Sequence, residues 1–104
     1  MLIVLGHISV QPDKMAEALR VSQEHVERSR SELGCLEHGV HRSTEDPNRL
    51  VFVERWLDLA SLQEHFALRE SVQMVRSLAA MATDAPSISI CNAEQVQFNS
   101  KNAG

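Results

Sequence analysis

The periodicities of this chain predict an α+β domain with the element order β-α-β-β-α-β. Four segments carry the apolar, β-branched or alternating pattern of strands: residues 2–10, 35–43, 50–57 and 87–91. Two longer segments repeat apolar residues at helical spacing. Proline, glycine, asparagine or aspartate marks the junctions between them. At 104 residues the chain is the size of one domain.

Leu2, Ile3, Val4 and Leu5 open the first strand, and His7 and Ser9 then alternate with Ile8 and Val10. Gln11-Pro12-Asp13 stops it. Asp13 is expected to cap the following helix, because a carboxylate there can accept from a free backbone N–H. Met15, Ala18, Leu19, Ser22, Val26, Ser29 and Leu33 recur at helical spacing. Glu17, Arg20, Glu24, Glu27, Arg28 and Arg30 form its solvated side. This helix is expected to run from Met15 to about Leu33 and to end at Gly34, a C-terminal cap glycine.

Cys35 to Ser43 reads as the second strand and Thr44-Glu45-Asp46-Pro47-Asn48 as a turn. Leu50 to Leu57 is the third strand, with Val51, Phe52 and Val53 as strong strand formers. The second helical region opens at Asp58 or at Ser61, which with Glu64 fits a capping box. Its apolar positions run from Leu62 to Ala82, with a break into two helices expected near Ala67–Arg69. Pro86 ends it, and Ser87-Ile88-Ser89-Ile90-Cys91 alternates as the fourth strand. Residues 1–98 are expected to form the domain and residues 99–104 a frayed tail.

Two β-α-β halves with right-handed crossovers give a ferredoxin-like plait: a four-stranded antiparallel sheet with the helices on one face. The strands are nevertheless apolar at both parities, Leu50 and Phe52 on one side and Val51 and Val53 on the other. A sheet apolar on both sides must cover its open face, most simply with a twin subunit. A homodimer packed through the open sheet face is therefore expected.

Composition excludes several function classes. The chain is 43% hydrophobic and 23% charged, with a net charge of −4 and no basic stripe. No nucleic-acid partner is expected. No run approaches the roughly 18 apolar residues of a membrane span, so no membrane association is expected. The apolar start is expected to be the first strand and not a signal peptide, and the chain is expected to be cytoplasmic with reduced thiols. Cys35 and Cys91 are expected to be small buried side chains.

The candidate site begins with the single tryptophan, Trp56, at the end of the third strand, and with His65, nine residues later on the next helix. That spacing can aim both rings into one hollow between sheet and helices. Alternation places Leu50, Phe52, Glu54 and Trp56 on one strand face. His7 lies on the adjacent central strand, so His7, Glu54, Trp56 and His65 are expected to converge under the second helical region. Phe52 and Phe66 are expected to add apolar substrate-binding surface. Such a group offers a ring wall, one or two proton-transferring imidazoles and a carboxylate to orient them. It suits proton abstraction from a phenol or quinol. No metal is expected: the five histidines form no HxxxH or HxH ligand spacing, and His38 and His41 have opposite strand parity. No Gly-rich phosphate loop is present either.

Several motifs in order resemble a known family. They are Pro12-Asp13-Lys14, Glu32-Leu33-Gly34-Cys35, Asp46-Pro47-Asn48-Arg49, Glu54-Arg55-Trp56 and Leu62 to His65. Together they resemble the antibiotic biosynthesis monooxygenase (ABM) domain, over roughly residues 2–92. The resemblance implies a dimeric α/β barrel of ferredoxin-like subunits. It implies a monooxygenase that works without metal or flavin on a quinol or polycyclic phenol, with O2 as co-substrate. His65 and Trp56 match family positions, which implies His65 as the catalytic base and Trp56 as a pocket wall; His7 and Glu54 are expected from their placement to orient the substrate or tune the base. The second histidine common in the family falls where this chain reads Arg69-Glu70-Ser71. In haem-degrading relatives the iron ligand falls at Val75 here, so haem degradation is not expected. A non-catalytic small-molecule-binding or stress-related dimer and an isomerase of the same fold are the alternative readings.

Overall fold

The computed structural model describes residues 1–99. The elements are β1 (Leu2–Ser9), α1 (Met15–Ser29), β2 (Cys35–Arg42), β3 (Arg49–Trp56), α2 (Leu59–Ala67), α3 (Arg69–Met81) and β4 (Ser87–Asn92), with one 3-10 turn at Pro12–Lys14. The strands form one antiparallel sheet in the order β2-β3-β1-β4, the ferredoxin-like plait. The expected tail, beyond Asn99, lies outside the described residues.

Register decides which side chains meet the helices. Leu2, Val4, Gly6 and Ile8 pair with Trp56, Glu54, Phe52 and Leu50, so these positions share one sheet face. Against that face α1 buries Met15, Ala18, Ser22, His25, Val26 and Ser29. The apolar core has two parts. Ile8, Val10, Leu50 and Phe52 pack with Met15, Ala18, Leu78 and Met81. Leu2, Val4, Trp56 and Leu62 pack at the other end. The polar gap between them is where the candidate site lies.

Several boundaries differ from expectation. Asp13 caps nothing: Pro12 opens a 3-10 turn that takes Asp13 inside it, and Lys14 precedes α1 with no side-chain cap. Helix α1 stops at Ser29 and not near Leu33, which is 91% exposed. Ser29 and Ser31 donate their hydroxyls to the carbonyls of His25 and Arg28, which competes with continuation of the helix. Gly34 is not the helix cap. It turns the chain into β2 with φ +86, and an added Cβ would collide with the side chain of Ser61. Its carbonyl accepts from Leu57 N–H at 2.8 Å, tying the loop before β2 to the end of β3. Asp58, not Ser61, caps α2 by accepting from Ser61 N–H at 2.8 Å. The chain breaks at Leu68, as the sequence suggests. Cys35 is half-buried, but Cys91 is exposed, because it lies on β4, an edge strand exposed along its whole length; both thiols are free.

Candidate active site

Strand β3 and helix α2 meet at Asp58. Capping there starts α2 at once, so two helical turns bring His65 back over the end of β3. Its ring lies 4.5 Å from that of Trp56, tilted by 37°. Leu62, one turn earlier, is buried beside the same indole and holds the helix face down.

Glu54 is buried beneath these rings. Its Oε1 accepts from the Trp56 indole N–H at 2.9 Å. His38, its cross-strand partner on β2, places Nε2 3.2 Å from the same oxygen. That approach is off the line of a hydrogen bond, and neither ring nitrogen of buried His38 has a partner among the described residues. Burial pushes the Glu54 carboxyl up. His38, the indole N–H and His65 outweigh this and hold it below the ordinary carboxylate value.

Helix α1 contributes His25, whose ring lies 5.2 Å from that of His38 and 5.1 Å from that of His65. Arg28 donates to its Nδ1 at 2.8 Å, which leaves the ring hydrogen on Nε2. Burial, His38, His65 and Arg28 together push the His25 pKa down to about 3, with Glu54 opposing. Glu32, in the loop after α1, grips His65 from the other side. Its two carboxylate oxygens lie 2.9 and 3.1 Å from His65 Nδ1. With the hydrogen on Nδ1 donated to Glu32, Nε2 carries the lone pair.

These polar groups open onto a half-open cavity of about 130 Å3 between the sheet and the helices α2 and α3. His25, Glu54 and His65 form its polar end, and its remaining wall is largely apolar, with Phe52, Phe66, Met74 and Leu78 among the residues. It can hold an aromatic ring beside a proton acceptor. Among the described residues, His25, His38 and His65 are the group that could hold a metal: one ring nitrogen from each lies within 4.8 Å of the others.

The structure brings together His65, Glu54, Phe52 and Phe66 at the cavity. Two expected placements need correction. Trp56 touches His65 but does not line the cavity, because Leu2, Val4 and Leu62 close around it and leave it 0% exposed. His7 does not converge with the others. It pairs with Val51, one residue out of step with Glu54, so its side chain is on the opposite sheet face and exposed. It borders the cavity only as part of the Gly6–Ile8 stretch. Glu32, His25 and His38 escaped the sequence reading. His25 had a signal, since it lies three residues from Ser22 and beside Val26 on the stripe that α1 buries.

A profile of the antibiotic biosynthesis monooxygenase family matches residues 1–77. The chain belongs to that family. It is 38% identical over 65 residues to an uncharacterised protein of Synechocystis, sll1783; the match covers 62% of this chain and 44% of that one. The matched stretch thus spans under half the length of that relative. It is 31% identical over 65 residues to YcnE of Bacillus subtilis, which carries a provisional monooxygenase name; here 62% of this chain and 68% of the relative are covered. A crystal structure of an antibiotic biosynthesis monooxygenase superposes with a TM-score of 0.85 at 27% identity, covering 91% of this chain and 100% of the other. A Deinococcus radiodurans structure provisionally assigned to the same family has the same fold, with a TM-score of 0.89 at 24% identity over 95% of this chain and 98% of its own. Among the described residues of this family member, no helix is long and apolar enough to cross a membrane.

Proposed function

We propose that this protein is a cofactor-independent monooxygenase of a quinol or polycyclic phenol, with His65 as the base. The observation that carries the reading is the Glu32–His65 contact at 2.9 Å beside an apolar cavity. A carboxylate on Nδ1 fixes the tautomer, leaves Nε2 free to accept a proton and stabilises the imidazolium that results. Phe52 and Phe66 offer the ring surface against which a planar substrate would lie. Glu54, anchored by the Trp56 indole, supplies a second negative charge near the imidazolium.

In this reading the phenol gives its proton to His65 and the electron-rich phenolate reduces O2. One oxygen atom forms a bond to a ring carbon, which loses its hydrogen. The other oxygen leaves as water and the ring leaves as a quinone, so one phenol and one O2 give one quinone and one water. Two copies joined through the open sheet faces would make the functional dimer. The family membership and the monooxygenase name of YcnE agree with this chemistry.

The test is oxygen uptake with a panel of hydroquinones and polycyclic phenols. One O2 should disappear per quinone formed, and His65→Ala should lower kcat by about 100-fold or more. Undiminished turnover in His65→Ala would refute the base assignment. Tight binding of the panel without oxygen uptake would make the protein a binding module.

A further inference from the structure

We infer that His25, His38 and His65 form a site for one divalent cation of the zinc class. The three imidazoles come from α1, β2 and α2, each is 2% exposed, and one nitrogen of each lies within 4.8 Å of the other two. Tetrahedral coordination at Zn–N of about 2.0–2.1 Å needs nitrogens roughly 3.4 Å apart, so the widest pair closes by no more than roughly 1.5 Å. A second observation points to a missing partner. His38 Nδ1 is buried with no hydrogen-bond partner among the described residues, which is costly for a polar ring.

The surroundings select which nitrogen each ring would offer. Histidine ligands commonly give their other nitrogen to a carboxylate. Glu32 already takes His65 Nδ1, leaving Nε2. Glu54 lies 3.2 Å from His38 Nε2, leaving Nδ1. These two carboxylates also match the charge of a divalent cation. The third ring is set against it: Arg28 donates to His25 Nδ1 and so keeps a hydrogen on Nε2. Arg28 must withdraw, and the hydrogen must move to Nδ1, before Nε2 can bind. Its guanidinium is thus a competitor that weakens the site. His25 and His65 border the cavity, which gives the cation an entry path and room for a fourth ligand.

This inference goes beyond the oxygenase reading and does not depend on it. A cation on His65 Nε2 would take the lone pair that the proposed base uses, so the test reads binding and not turnover. Chelator-treated full-length chain is titrated with Zn2+ by calorimetry and with Co2+ by visible absorption. One Zn2+ per chain is expected, with the intense visible bands of four-coordinate Co2+. His38→Ala and His25→Ala should each weaken binding by about 100-fold, and Glu32→Gln by about tenfold. Arg28→Ala should tighten it several-fold, a gain that misfolding cannot imitate. His41→Ala, on the other sheet face, should leave it unchanged. Absence of binding, weaker binding in Arg28→Ala, or loss in His41→Ala instead of His38→Ala would overturn the assignment. If His38→Ala fails to fold by circular dichroism, Arg28→Ala and Glu32→Gln decide it.

Discussion

His25 shows how a single side chain can set the acid stability of this fold. Its pKa of about 3 lies below the ordinary imidazole value, so the unfolded chain binds a proton there that the folded chain refuses. The sign follows: stability from this group is complete above about pH 6.5 and falls as the pH drops from there towards 3. Glu54, also held low, loses its contribution in the same direction at more acid pH. Denaturant unfolding at pH 7.5 and pH 5 should therefore differ in the wild type, by on the order of a few kcal/mol, and His25→Gln should flatten that difference. A wild-type stability independent of pH across that window would count against the buried neutral imidazole. Glu32 is testable at the same scale as a positioning residue. Glu32→Gln keeps a hydrogen-bond acceptor but removes the charge opposite His65, so kcat should fall by about tenfold or more while KM holds. A rise in KM alone would make Glu32 merely structural. Of these residues, the sequence exposed Trp56, Glu54 and His65, because neighbouring elements and strand alternation fix their spacing. It hid Glu32 and His25, which only the packing of α1 and the loop after it brings in, and His38, which only the β2–β3 register sets beside Glu54. His7 misled because adjacency of strands says nothing of register, and a shift of one residue reverses the face.

At the scale of elements, the segment from α1 to β2 has the most effect on the site. It carries Glu32 and turns at Gly34, whose φ of +86 and contact with Ser61 admit no side chain. Gly34→Ala would strain the backbone and push the loop away from the first turn of α2, which carries Ser61 and, further on, His65. A loss of roughly 2–4 kcal/mol in unfolding free energy is expected, with a parallel fall in kcat as the Glu32 contact opens. Chemical denaturation and steady-state rates measure both; an alanine variant as stable as wild type would mean that the loop is not held in this conformation. Element types were legible throughout, since periods of two and of helical spacing dominate each segment. Element ends were less so. Serines that bond back to helix carbonyls, as Ser29 and Ser31 do, shorten α1 without breaking its apolar pattern. The break at Leu68 was legible because the helical pattern itself is interrupted there.

At the scale of the molecule, the sheet has one face under helices and, among the described residues, one without cover. Central strands β1 and β3 put Ile3, Leu5, Val51 and Val53 on the open side, and Leu5 is 50% exposed. His7 and His41 share that side, as does the Arg55–Glu37 pair at 2.6 Å, so an apolar centre is framed by polar groups. A two-fold axis through the centre would bury the apolar residues of both copies against each other and leave the frame at the rim. The native protein should therefore sediment at twice the 11.6 kDa of one chain. Val53→Glu places a charge at the middle of the patch, where a second copy would bring an identical charge against it. It should sediment as a monomer with unchanged circular dichroism, and wild-type protein that sediments as a monomer would remove the dimer from this account. The cavity opens on the other face of the sheet. If the variant is monomeric and still shows the oxygen uptake of the native protein, each subunit works alone. A monomer that keeps its fold but loses turnover would mean that pairing supports the site from behind, through the strands that carry Glu54 and His38.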